Sequence, residues 1–102
     1  MSANILPADP TEAVEKLIEI TARMKAVMEE ESRSIVRGSE AAMQDVEGLK
    51  NKILPQYEQA AAEFSQRAEE FRTVRASLLD ELQGIQDALS AVTRENQFHL
   101  AS

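Results

Sequence analysis

Apolar side chains recur along the first third of this chain in steps of three and four. Val14, Leu17, Thr21, Met24, Met28 and Ile35 form one stripe, widened by Ile18, Ile20 and Val27 and interrupted by Glu31. That spacing keeps one face of an α-helix apolar. The polar positions complement it. Glu12–Lys16, Glu19–Arg23 and Glu29–Arg33 stand four apart with the acid first, the favourable order on an exposed helix face. Asp9-Pro10-Thr11-Glu12 supplies a start: Asp9 can cap, proline suits the first helical position, and Glu12 sits where a capping-box acid reaches back. Gly38 can end this stretch in the left-handed cap conformation, and Ser39 can cap a second helix. The pattern predicts a first helix over about 10–37.

Met43, Val46, Leu49, Ile53 and Leu54 carry a second helical stretch as far as Pro55. A proline inside a helix removes one backbone hydrogen bond and clashes with the preceding turn, at a cost of about 3 kcal/mol. Pro55 therefore predicts either a kink or a boundary, with helices over about 39–54 and 55–99. Beyond it the heptad pattern is long: Tyr57, Ala61, Phe64, Ala68, Phe71, Arg75, Leu78, Leu82, Ile85, Leu89, Val92, Asn96 and His99 alternate steps of four and three. Sustained heptads point to coiled-coil-type packing. The expected fold is all-α, an elongated antiparallel helical hairpin or a three-helix bundle with heptad packing. It forms a single domain over 10–102 behind a flexible lead-in at 1–9.

The two-helix version carries a length mismatch. The first helix spans roughly 42 Å and residues 56–99 roughly 65 Å at the α-helical rise. A hairpin turning at Gly38-Ser39 leaves Phe71, Val74, Leu78, Leu82, Ile85, Leu89 and Val92 without cover. Each such side chain gains roughly 1.5–3 kcal/mol on burial, so a stripe of this length demands a partner. Three solutions satisfy it: a fold-back at Pro55, a second copy of the chain, or a different protein docking there. On the last two, these seven residues are the expected partner-binding surface.

Composition narrows the function classes. With 11 Lys+Arg against 18 Asp+Glu the net charge is −7, which opposes nucleic acid and anionic membrane surfaces. There is no cysteine, hence no disulfide scaffold and no thiolate chemistry. The first ten residues lack the basic and apolar regions of a signal peptide, and no apolar run approaches the roughly 20 residues of a membrane span. A cytoplasmic protein without membrane insertion is expected. The glycines, at 38, 48 and 84, form no phosphate loop, and no cofactor motif is present. His99, four residues after Glu95, reads as a solvated tail histidine rather than a metal ligand. Glu29-Glu30-Glu31 reads as solvated surface rather than acid–base machinery. No enzyme is expected. Met24, Met28 and Met43 have two readings, core filling or an adaptable groove for partner helices. Arg75 is placed to snorkel or pair with a carboxylate, and Asn96 either sets register in an oligomer or is solvated near the end.

Several of these residues resemble the FlgN-like flagellar export chaperones. Leu17-Ile18 through Met24, Val27-Met28 and Glu31 to Ile35 and Arg37-Gly38 looks like that family's first helix and its exit. Leu49, Lys52, Leu54 and Tyr57 are similar to its second helix, and Glu95-Asn96 with Leu100-Ala101 to the step toward its C-terminal segment. The resemblance implies a cytosolic chaperone that binds hook–filament junction proteins and delivers them to the flagellar type III export gate. Pro55 departs from the pattern, falling where unbroken helix is expected. Small secreted helical-hairpin proteins are a poorer match, because their Trp-x-Gly turn is here Arg37-Gly38-Ser39. A structural or regulatory coiled-coil homodimer is the remaining alternative.

Overall fold

The computed structural model describes residues 4–101 and is all-α. Helix α1 spans Pro10–Arg37 and α2 spans Glu40–Gln66; a 3₁₀ turn over Ala68–Thr73 leads to α3, Ala76–Ala101. Each boundary has a local cause. The Asp9 carboxylate accepts the Glu12 N–H at 2.9 Å, with Pro10 in the first turn where its missing N–H costs nothing. Gly38 closes α1 in the left-handed conformation, φ 66°, and donates its N–H to the Ser34 and Ile35 carbonyls at 3.0 and 3.1 Å. Ser39 comes at once as the cap of α2, its hydroxyl accepting the Ala42 N–H at 3.3 Å.

Pro55 is not a boundary. It lies inside α2 on the exposed face, as does Asn51, whose carbonyl it deprives of an amide donor. Water can satisfy that carbonyl, so α2 continues for eleven residues past the proline, to Gln66. The fold-back offered at Pro55 as one of three solutions comes instead at 67–75, with neither glycine nor proline to mark it. Arg67 leaves helical geometry at φ −107°, and Val74 is extended at φ −77° and ψ 141°. Packing holds this corner. Phe71 and Val74 are buried, and the Phe71 ring stacks on Phe64 with centroids 4.4 Å apart.

The three helices hold 28, 27 and 26 residues, roughly 40 Å each at the α-helical rise. Equal lengths abolish the overhang. Helix α1 is the central element: Ala13, Val14, Leu17, Ile20, Thr21, Met24 and Met28 are buried along it, against only Val46, Ile53 and Ala60 along α2. Both α2 and α3 pack along α1, and they hardly touch one another. The molecule is accordingly flattened, 46 × 31 × 18 Å, with a radius of gyration of 15.2 Å against roughly 13 Å for a compact domain of this size.

The described part of the lead-in packs against the bundle. Leu6 is 4% exposed and belongs to the core, and the Ile5 and Leu6 N–H groups donate to Glu63 near the end of α2. A flexible segment is therefore corrected to a docked one for residues 4–9; residues 1–3 and 102 lie outside the described residues.

Candidate partner groove

The seven residues expected to face a partner face α1 instead. Phe71, Val74, Leu78, Leu82 and Leu89 are 3–7% exposed, and Ile85 and Val92 are half-buried against the same core. The turn at 67–75 lays α3 alongside α1, which supplies the cover within the chain. The partner-binding assignment of this stripe is thereby corrected to an intramolecular core.

An apolar surface does remain, beside the stripe. Because α2 and α3 diverge, an open groove of about 310 Å³ runs between them. Each helix lines it at helical spacing: Met24, Met28 and Glu31 form the floor, Lys50, Leu54 and Tyr57 one wall, and Leu89, Thr93 and Asn96 with Gln97 the other. The two methionines are both core and groove, so the two readings of their sequence spacing coincide for them. Met43 lies elsewhere, 39% exposed near the start of α2. Partial burial of Tyr57 in the wall raises its phenol pKa above the ordinary value.

A polar junction closes one end of the groove. The Glu31 carboxylate receives Lys50 Nζ from α2 at 2.9 Å on one oxygen and Asn96 Nδ2 from α3 at 3.0 Å on the other. Asn96, 1% exposed, also donates to the Met28 carbonyl at 2.8 Å and accepts from the Ser32 hydroxyl. One carboxylate thus joins three helices, and every buried side-chain polar atom among the described residues has a partner. Asn96 fixes the register of α3 on α1 within one chain. It is neither solvated nor placed to pair with its copy.

The acidic run divides accordingly. Glu29 pairs with Lys25 and Glu30 with Arg33 on the surface, while Glu31 turns inward. His99 lies 3.6 Å from Glu95. Among the described residues no group of three or more His, Asp or Glu side chains is placed to hold a metal ion, and no helix is long and apolar enough to cross a membrane. Arg75 is exposed, and its carbonyl accepts the Leu78 and Leu79 N–H groups that begin α3. The side chains of Leu100 and Ala101, part of the resemblance, lie outside those described. Sequence spacing alone does not bring Lys50, Leu54, Tyr57, Thr93 and Gln97 onto one surface. The signal for them is the pair of polar interruptions, Glu31 and Asn96, in otherwise apolar stripes. Comparison with protein-family models, curated proteins and solved structures finds no match to this chain.

Proposed function

We propose that this protein is a non-catalytic cytoplasmic adaptor that holds an amphipathic helix of a partner protein in the α2–α3 groove, as an export chaperone of the FlgN-like kind. The observation that carries the reading is the groove itself, a methionine floor between two helices that share α1 and leave each other uncovered. Thioether side chains repack easily around different apolar faces, and a helix-in-groove mode needs only a few anchors at helical spacing. The wall offers those at Leu54, Tyr57 and Leu89, with the Glu31–Lys50–Asn96 junction as a polar stop. The stripe that a coiled-coil homodimer would zip through is occupied by α1, which favours a foreign helix over a second copy. The clients named by the resemblance are hook–filament junction proteins.

Co-expression with hook–filament junction proteins, followed by affinity capture, tests this. A complex is expected with the unaltered chain and its loss with Leu54→Glu or Thr93→Arg, both partly exposed in the groove walls. Absence of any complex when both proteins are folded would sink the chaperone reading.

A further inference from the structure

Near the C-terminal end of α2, four consecutive residues of the N-terminal segment are held by backbone hydrogen bonds and by the packed side chains of Ile5 and Leu6. The two oxygens of Glu63 take the N–H groups of Ile5 and Leu6, each at 2.9 Å. The two terminal nitrogens of Arg67, one helical turn on, donate to the carbonyls of Pro7 and Ala8, each at 2.8 Å. A carboxylate in the last turn of α2 and the guanidinium of the residue that caps it thus read N–H, N–H, C=O and C=O in sequence order. One side chain of the segment is fully inserted, Leu6, at 4% exposure.

The clamp does not depend on the segment for its own shape. Gln59 holds Glu63 at 3.0 Å from the turn before, and Glu70 receives Arg67 Nε and Nη2 at 3.1 Å each. The guanidinium also lies over the Phe71 ring, 5.3 Å from its centroid. These contacts come from α2 and the 3₁₀ turn, so removal of residues 5–8 leaves two oriented charged groups beside an apolar socket. Backbone-directed bonds and one leucine socket do not distinguish a tethered segment from a separate peptide. The segment itself is stiffened for the site, since Pro7 and Pro10 fix their own φ and restrict the residues before them.

We propose that the Glu63–Arg67 face is a peptide-binding site, occupied in cis by residues 5–8, that takes in trans a short apolar segment in which leucine precedes proline. A short tether gives the cis segment an effective concentration on the order of millimolar. A trans ligand therefore gains access when the cis segment is weakened. This site is separate from the α2–α3 groove, and each stands or falls by its own experiment.

The probe is a fluorescent peptide of residues 4–9, titrated by anisotropy against the full chain and its Leu6→Asp variant. The variant is expected to bind it with a Kd of about 0.1 mM or tighter, at least tenfold more tightly than the unaltered chain, whose tethered segment competes at about 1 mM. Adding Glu63→Gln and Arg67→Met should remove that binding. Equal binding with and without the clamp residues, or none by a variant whose circular dichroism is unchanged, would overturn the proposal. If Leu6→Asp loses helicity, the unaltered chain decides: peptide at about 5 mM, above the effective concentration of the tether, must lower the hydrogen-exchange protection of the Ile5 and Leu6 amides. Unchanged protection there is equally fatal.

Discussion

Asn96 is the side chain on which the arrangement of this molecule turns most directly. It is polar, almost fully buried, and satisfied by two residues and a backbone carbonyl of α1. Truncation to alanine takes a partner from the Ser32 hydroxyl and from one Glu31 oxygen, and removes the side-chain donor to the Met28 carbonyl. Asn96→Ala is expected to cost about 2–3 kcal/mol in urea unfolding. Lys50→Ala touches the same carboxylate from a more exposed position, where screening weakens an ion pair, and should cost less than about 1 kcal/mol. Equal losses would show that the junction does not work through Asn96. The polar interruptions at Glu31 and Asn96 are visible in the sequence. That they meet is not, because their pairing depends on α3 running parallel to α1, which only the corner at 67–75 decides.

Glu63 adds a pH dependence at the same scale. Partial burial pushes its pKa up, but the Ile5 and Leu6 N–H groups, the Gln59 amide and the Arg67 guanidinium together outweigh this and lower it. Glu70 pairs with the same guanidinium at 3.1 Å. A carboxylate depressed in the folded state stabilises it above the unfolded pKa, about 4.3, and the contribution fades as pH falls through the native value. The stability gap between the unaltered chain and Glu63→Gln should therefore be constant above about pH 5.5 and close in acid. Thermal unfolding from neutral pH into acid measures it, and a gap that persists at the acid end would remove the assigned cause.

At the scale of elements, the helix breakers inside α2 and α3 are liabilities that packing overrides. Pro55 sits on the exposed side of α2, and Gly84 on an exposed turn of α3 where an added Cβ meets nothing within 4 Å. Gly84→Ala should stabilise by about 1 kcal/mol. Pro55→Ala regains a helical hydrogen bond but frees the unfolded chain, for a net gain of about 2 kcal/mol. A loss of stability in either would mean that the local backbone is needed as it is. Helix α1 is legible to its ends, because Asp9, Gly38 and Ser39 carry their signals in their own chemistry. The end of α2 is not. Phe64, Phe71 and Leu78 keep a seven-residue spacing through the turn because all three pack in the core, while Ala68 and Arg75 on the same stripe are exposed. A 3₁₀ turn also preserves the three-residue step. Only Arg75 on the stripe and the β-branched pair Thr73-Val74 hint at the break.

At the scale of the whole molecule, placing α3 on α1 exchanges one candidate surface for another, and a pair of substitutions separates the two. Leu82 is 3% exposed in the seam between α3 and α1. Loss of a buried leucine alone costs about 2–5 kcal/mol. An unpaired carboxylate in its place adds a desolvation penalty of several more. The sum approaches the roughly 5–15 kcal/mol that holds a domain of this size together. Leu82→Asp is therefore expected to abolish cooperative unfolding and most of the helical circular dichroism. Leu54 is half-buried where the groove opens to water, so a glutamate there can turn outward and leave the bundle standing. Leu54→Glu should unfold within about 1 kcal/mol of the unaltered chain yet fail to retain a partner helix. If Leu82→Asp kept its helicity and lost only association, the stripe would face a second protein after all. The groove between α2 and α3 would then lose its claim as the place where partners are held.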